Sequence, residues 1–202
     1  MRIAIVGFGN VGAQLGRLWA DKGHSVIAGL REGGRGTETA KKLGISAATP
    51  AAAVREADVT VLAVPWQAVE GTLASLGALE GKILIDATNP LAKDLTVITA
   101  DAGSAGEQVA QWARGARVVK AFNTIGAALF GDPAFDMFYC GDDADAKQTA
   151  RCLIEDTTMT PIDVGPLKNA THLEHLAGFW IELAVNGRMP GAFGFKLARH
   201  AR

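Results

Sequence analysis

The run Ile3-Ala4-Ile5-Val6-Gly7-Phe8-Gly9-Asn10-Val11-Gly12, followed by Ala13, Leu15, Leu18 and Trp19 at helical spacing, restricts the fold more than any other stretch of this chain. A β-branched strand that turns at a glycine and enters a helix within a few residues needs positions without a side chain. Gly7 permits the tight turn, Gly9 leaves the backbone open to a ligand, and Gly12 lets the helix pack against the strand it has just left. The free amides and positive dipole end of such a helix attract phosphate. Gly7, Phe8, Gly9, Asn10, Val11 and Gly12 therefore predict a dinucleotide pyrophosphate site.

Hydrophobic periodicity repeats the strand–helix alternation. It predicts strands at 2–6, 25–29, near 45, 58–64, 82–86 and 117–121, with helices at 10–22, 37–43, 50–56, 67–75 and 103–113. Such alternation gives a mostly parallel sheet covered on both faces, the doubly wound α/β (Rossmann) fold, complete by about residue 121. Residues 122–202 add strands at 137–140 and 160–164 and helices at 143–155 and about 168–186. This is too little for a separate core. The division expected is a dinucleotide-binding core, 1–121, and a small C-terminal α/β extension, 122–202, that prolongs the sheet and contributes to the acceptor site as part of one compact unit.

Bulk composition removes several function classes. The 20 basic residues are balanced by 21 acidic ones and form no run, so neither nucleic acid nor an anionic membrane surface is an expected partner. The longest apolar stretches, such as 59–66, have strand length and do not span a membrane. Residue 3 already belongs to the first strand, which predicts no signal peptide. Cys140 and Cys152 have no metal-binding or Cys-x-x-Cys spacing and read as reduced core thiols of a cytoplasmic protein.

The end of the second strand bears on the cofactor. Enzymes that prefer NAD carry an acid there for the ribose hydroxyl. This chain has Leu30-Arg31-Glu32-Gly33-Gly34-Arg35. A forked guanidinium clamps a 2′-phosphate, so Arg31, with Arg35 as a second cation, predicts NADP(H), although Glu32 turned inward would restore NAD binding. In open α/β sheets ligands lie beyond the carboxyl ends of the strands. The loops there are Val64-Pro65-Trp66, Thr88-Asn89-Pro90 and Phe122-Asn123-Thr124. Trp66 either rims the nicotinamide portion or lies under the following helix. Asp86 is expected to brace its turn by accepting backbone N–H bonds. Asn123 either reaches the nicotinamide or the second substrate, or caps a helix.

Other pairs have simpler explanations. His172 and His175 lack a third ligand, so no metal site is predicted; one is expected in solvent and the other at the pocket. Asp142-Asp143 reads as a helix N-cap. No acid/base constellation can be assembled, and transfer of a hydride to a flavin-like ring can proceed largely by alignment. Catalytic side chains are therefore not predicted beyond Asn123 as a candidate.

With these residues in hand the chain resembles the NADPH-dependent reductases of the deazaflavin coenzyme F420 and the related oxidoreductase domains of STEAP metalloreductases. The resemblance spans nearly the whole chain. Its most specific parts are Val64-Pro65-Trp66, Phe122-Asn123-Thr124-Ile125, Cys140-Gly141-Asp142-Asp143, Asp163-Val164-Gly165-Pro166-Leu167, Leu173-Glu174 and Gly194-Phe195-Lys196-Leu197. It implies NADP along Gly9, Asn10, Val11, Leu30, Arg31, Pro65 and Thr88-Asn89, and a deazaflavin or flavin-like acceptor near Phe122, Asn123, Thr124 and the Gly165, Pro166, Leu167 turn. The chain departs from archaeal members at Leu30, where they carry a hydroxyl residue, and at Asn123, where they carry histidine. The alternatives are a keto- or imino-acid reductase and an NADPH-binding sensor without catalysis. The apolar helix bearing Leu176, Phe179, Trp180 and Leu183 either packs internally or forms a homodimer seam.

Overall fold

In the computed structural model, which describes residues 1–34, 36–92, 94–98, 103–187, 189 and 192–198, strands and helices alternate along the chain. They are β1 (Arg2–Val6), α1 (Asn10–Asp21), β2 (Ser25–Gly29), α2 (Thr37–Lys42), β3 (Ser46–Ala48), α3 (Pro50–Glu56), β4 (Val59–Leu62), α4 (Val69–Ser75), β5 (Ile83–Asp86), α5 (Ala105–Trp112) and β6 (Arg117–Lys120). The extension supplies β7 (Asp136–Gly141), α6 (Ala144–Asp156), β8 (Thr160–Asp163) and α7 (Ala170–Val185). The expected elements recur with shifts of a few residues at their ends. Two differ in kind: 3₁₀ turns at Trp66–Ala68 and Leu167–Asn169 precede α4 and α7, where the sequence reads as continuous helix.

The eight strands form one sheet in the order β3-β2-β1-β4-β5-β6-β7-β8. Strands β1 to β6 are mutually parallel, β7 runs antiparallel to β6, and β8 is parallel to β7. The central strands are apolar on both faces because helices cover both. Ile3, Ile5, Leu15, Trp19, Phe122 and Leu153 pack on one side, and Ala4, Leu62, Leu73, Leu84 and Val109 on the other. Trp19 is fully buried, and its indole N–H donates to the Leu153 carbonyl (2.9 Å), tying α1 to α6. Helix starts are capped as their sequences require: Thr49 before Pro50, Ser104 before α5 and Asp143 before α6 each accept from a backbone N–H three residues on.

The chain end returns to the sheet. Buried Asp136 receives the Lys196 ammonium (2.6 Å) and the Leu197 N–H (2.7 Å), while its own N–H donates to the Phe195 carbonyl.

Candidate functional site

The site begins at the turn between β1 and α1. Gly7 has φ +92°, which a side chain resists, and a methyl group there would strike the Ala63 backbone. A methyl on Gly12 would collide with the Gly7 carbonyl oxygen and lie 2.9 Å from the Ile5 side chain. Gly9 is different, because no protein atom lies within 4 Å of where its Cβ would be. Two of the glycines are thus required by the protein's own packing, and the third borders open space. Helix α1 starts there with no side-chain cap and no acidic residue in its first turn, so its first amides and dipole stay available to an anion. Phe8 is 4% exposed and packs against the face of Gly16, leaving only its backbone for this turn.

Beyond β2 the chain turns at Arg31, whose carbonyl accepts from the Gly34 N–H (2.9 Å), and Thr37 closes the loop through the Gly34 carbonyl. The Leu30 N–H donates to the Ala48 carbonyl (2.9 Å), and its side chain packs on the core below. Arg31 and Glu32 are exposed, and Arg31 has no ion-pair partner among the described residues. Arg35 lies outside the described residues.

The loops after β4, β5 and β6 have distinct roles. Trp66 stacks at a tilt on Trp112 of α5 (5.4 Å between ring centroids), so its indole serves the helical layer; Val64 is half-buried and Pro65 exposed. Asp86 Oδ1 accepts from both the N–H and the hydroxyl of Thr88 (2.9 and 2.7 Å), the brace expected from sequence. Pro90 is buried behind this turn. Asn89 and Asn123 interlock across the two loops: Asn123 Nδ2 donates to Asn89 Oδ1 (3.0 Å), and Asn89 Nδ2 donates to the Asn123 carbonyl (2.9 Å). Asn123 Oδ1 and the Thr124 hydroxyl are buried without a hydrogen-bond partner among the described residues. Buried polar atoms are nearly always satisfied, so the unpartnered Asn123 Oδ1 in the cleft floor points toward a ligand, whereas Thr124 is fully buried and does not line the cleft.

Phe122 occupies the left-handed region (φ +62°), and its ring lies edge-on to Trp19 (5.6 Å) and Phe130 (5.8 Å). The expectation of an acceptor near Phe122, Asn123 and Thr124 is therefore corrected for the Phe122 ring. Its ring belongs to the core, and its unusual backbone turns the chain at Asn123 and Thr124.

Sequence reasoning missed the charged centre beneath these loops. Asp86 and Lys120 are register partners at the ends of β5 and β6, and both are fully buried. Lys120 Nζ lies 2.8 Å from Asp86 Oδ2 and 3.4 Å from Glu174 Oε1 on α7. Glu174 also accepts from the N–H groups of Ala105 and Gly106 (3.0 Å each) at the start of α5. Burial alone disfavours the charged lysine, but the carboxylates of Asp86 and Glu174 outweigh it and hold the Lys120 pKa above its ordinary value. The available signal was two strands, Ile83–Asp86 and Arg117–Lys120, whose apolar centres each run into a final charge, of opposite sign.

A cleft of about 640 Å³ runs along α1 and over the Asn89–Asn123 pair; Leu30, Arg31, Val64, Pro65, Trp66, Thr88 and Pro90 do not line it. Asn10 and Val11 line one side, Asn89 and Asn123 the floor, and Ala177, Trp180 and Ile181 of α7 the far wall. Trp180 is fixed by its N–H to the Phe193 carbonyl (2.9 Å) and lies over Gly126, where a methyl would stand 2.6 Å from the ring. Phe179 faces elsewhere, 55% exposed and stacked on Phe195.

Gly165, Pro166 and Leu167 are not brought to this cleft. Because β7 reverses direction, the residues following β7 and β8 emerge at the amino end of β6, where Asp143 sits 3.5 Å from Arg117. The N–H groups of Gly165 and Leu167 are already donated to Asp163 and Asp142 (2.8 and 2.9 Å), and proline has none, so this turn has no amide left for a reduced ring. Leu167 is a core residue of the opposite layer. His172 and His175 are both exposed, and His175 borders a separate hollow beside Asp94 and Thr96. Among the described residues no group of three metal-binding side chains occurs and no helix is long and apolar enough to cross a membrane. Burial pushes the Cys140 thiol up to about 12, whereas Cys152 is only half-buried and so is not the core thiol expected.

The family model for coenzyme F420-dependent NADP oxidoreductases matches residues 2–90. An F420-dependent NADP reductase of Methanothermobacter marburgensis is 34% identical over 215 residues, covering 95% of this chain and 96% of that protein. A crystal structure of a provisionally named F420-dependent NADP-reductase from Arthrobacter sp. FB24 superposes with a TM-score of 0.89 at 31% identity, covering 98% of this chain and 100% of that one. The metalloreductase STEAP3 of Rattus norvegicus is 29% identical over 177 residues, 86% of this chain but 36% of that protein.

Proposed function

The chain belongs to the family of F420-dependent NADP reductases, and from that premise we propose that it transfers a hydride between NADPH and the deazaflavin ring of coenzyme F420, or a flavin-like ring of similar shape. The observation that carries this reading is one continuous cleft that runs from the open start of α1, at Asn10 and Val11, to the interlocked Asn89 and Asn123. In this reading the amides following Gly9 hold the pyrophosphate, and Arg31 holds the 2′-phosphate. Leu30, Val64 and Pro65 border the cofactor, while Thr88, Asn89 and Pro90 shape its nicotinamide end. NADPH, when bound, supplies the hydride.

The protein's own contribution is alignment and exclusion of water. Asn123, with its unpartnered Oδ1, orients the amide-bearing rings from below, with Thr124 behind it, and Trp180 closes the slot from α7. Reacting carbons held about 3–3.5 Å apart in a dry slot need no proton donor of the protein for the hydride itself. The direct test is anaerobic NADPH oxidation against coenzyme F420, FAD, FMN, a quinone and a ferric chelate. Rapid turnover with coenzyme F420 is expected. Tight NADPH binding without turnover of any ring acceptor would sink the reading, and turnover of a keto or imino acid instead would replace it.

Residues 1–121 serve in this proposal as the nucleotide-binding core, and 122–202 as the extension that supplies Asn123, Thr124 and the α7 wall. The two free thiols fit a cytoplasmic setting. A homodimer is proposed on α7, where Phe179 is 55% and Val185 59% exposed. Light scattering should give twice the chain mass, and a monomer at micromolar concentration would remove that part.

A further inference from the structure

The two loops that floor the cleft and the helix that walls it meet at one buried cluster. Asp86 holds the Thr88 N–H and hydroxyl, one residue before Asn89. Lys120 stands three residues before Asn123 and bridges Asp86 to Glu174 (2.8 and 3.4 Å). Glu174 shares its helix stripe with Ala177 and Ile181, one and two turns further on, and both line the cleft. The same carboxylate is fastened to α5 by the Ala105 and Gly106 amides, each at 3.0 Å. Close approach of α5 to α7 is built in as well, since a methyl on Gly106 would stand 2.7 Å from the Ala170 Cβ.

We propose that the Asp86–Lys120–Glu174 triad sets the width of the cleft, with Glu174 acting as a positioning residue for hydride transfer. This rests on the hydride-transfer reading above. The triad touches neither ring. It joins the nicotinamide loop, through Asp86 and Thr88, to the acceptor wall, through Glu174 and α7. The cluster ties each group to at least two elements: Asp86 to Thr88 and Lys120, and Glu174 to Lys120 and α5. Rigid support of this kind limits the distance between donor and acceptor, to which the rate is steeply sensitive.

The test compares the whole protein with its Glu174→Gln variant, which keeps the side-chain volume but loses the charge that faces Lys120 and both amides. The measurements are NADPH affinity by fluorescence titration, single-turnover hydride transfer to coenzyme F420, and the primary isotope effect with NADPH deuterated at the transferred position. The rate should fall at least ~10-fold, since misplacement by about 1 Å costs on the order of 100-fold. NADPH affinity should stay within about threefold, and the isotope effect should become more temperature-dependent, because the pyrophosphate turn and Arg31 are untouched. A folded Glu174→Gln protein with parental rate and isotope effect overturns the proposal. So does parallel loss of NADPH binding and rate, which would reflect general damage. Glu174→Asp, which keeps the charge, should restore part of the rate; if the glutamine variant does not fold, the aspartate variant decides by the same readings. A parent protein without turnover would remove the functional reading itself, and this role with it.

Discussion

Gly9→Ala is expected to leave the melting temperature of the free protein within about 2 °C of the parent, because a surface substitution without a clash stays within about 0.5 kcal/mol, while NADPH binding weakens at least ~10-fold, the equivalent of about 1.4 kcal/mol. Gly12→Ala should do the reverse first. Open space surrounds the Cβ position at Gly9, and its backbone is extended (φ −80°, ψ −156°) rather than left-handed. At Gly12 the added methyl meets the Gly7 carbonyl and the Ile5 side chain. Overpacking of that kind costs roughly 1–3 kcal/mol and lowers the melting temperature by about 2–4 °C per kcal/mol in a chain of this size. Thermal denaturation and NADPH titration on both variants check the pair. A Gly9→Ala protein that binds NADPH like the parent would remove the pyrophosphate from this turn.

The second large effect is expected at Arg31. Arg31→Ala should weaken NADPH by roughly 10- to 150-fold, the range that follows from about 1.5–3 kcal/mol for a hydrogen-bonded charged contact. NADH, which lacks the 2′-phosphate, should change less than about threefold. The asymmetry follows from position: Arg31 is exposed at the end of β2 and makes no ion pair among the described residues, so its removal disturbs little of the fold. Steady-state constants for both nucleotides measure it. Equal losses for the two would show that Arg31 does not bind the 2′-phosphate.

Much of the architecture is readable from the chain because its determinants are local. Gly7 to Gly12 state a turn and a close helix approach, and the burial of Ile3 to Val6 on both sheet faces follows from an apolar run without alternation. Asp143 announces its helix in the same local way. What escapes sequence reading depends on strand direction and on distant partners. Nothing around Met137 to Cys140 states that β7 runs against β6, yet that reversal carries Gly165 to Leu167 away from the cleft. Lys120 looks like a strand-end lysine until the register sets it beside Asp86 and the fold brings Glu174 to both. Phe122 next to Asn123 suggests a stacking platform, but the space beneath α1 claims its ring.

Asn10 and Ile181 line the same cleft although they lie near opposite ends of the sequence. During synthesis the β1–α1 turn is therefore made among the first residues, but the slot beside it does not exist until α7 has left the ribosome and docked. A ligand that needs both walls cannot hold a partly made chain in shape. In the hydride-transfer reading, joint occupancy of the cleft by a nucleotide and a ring acceptor is thus confined to chains in which α7 is seated.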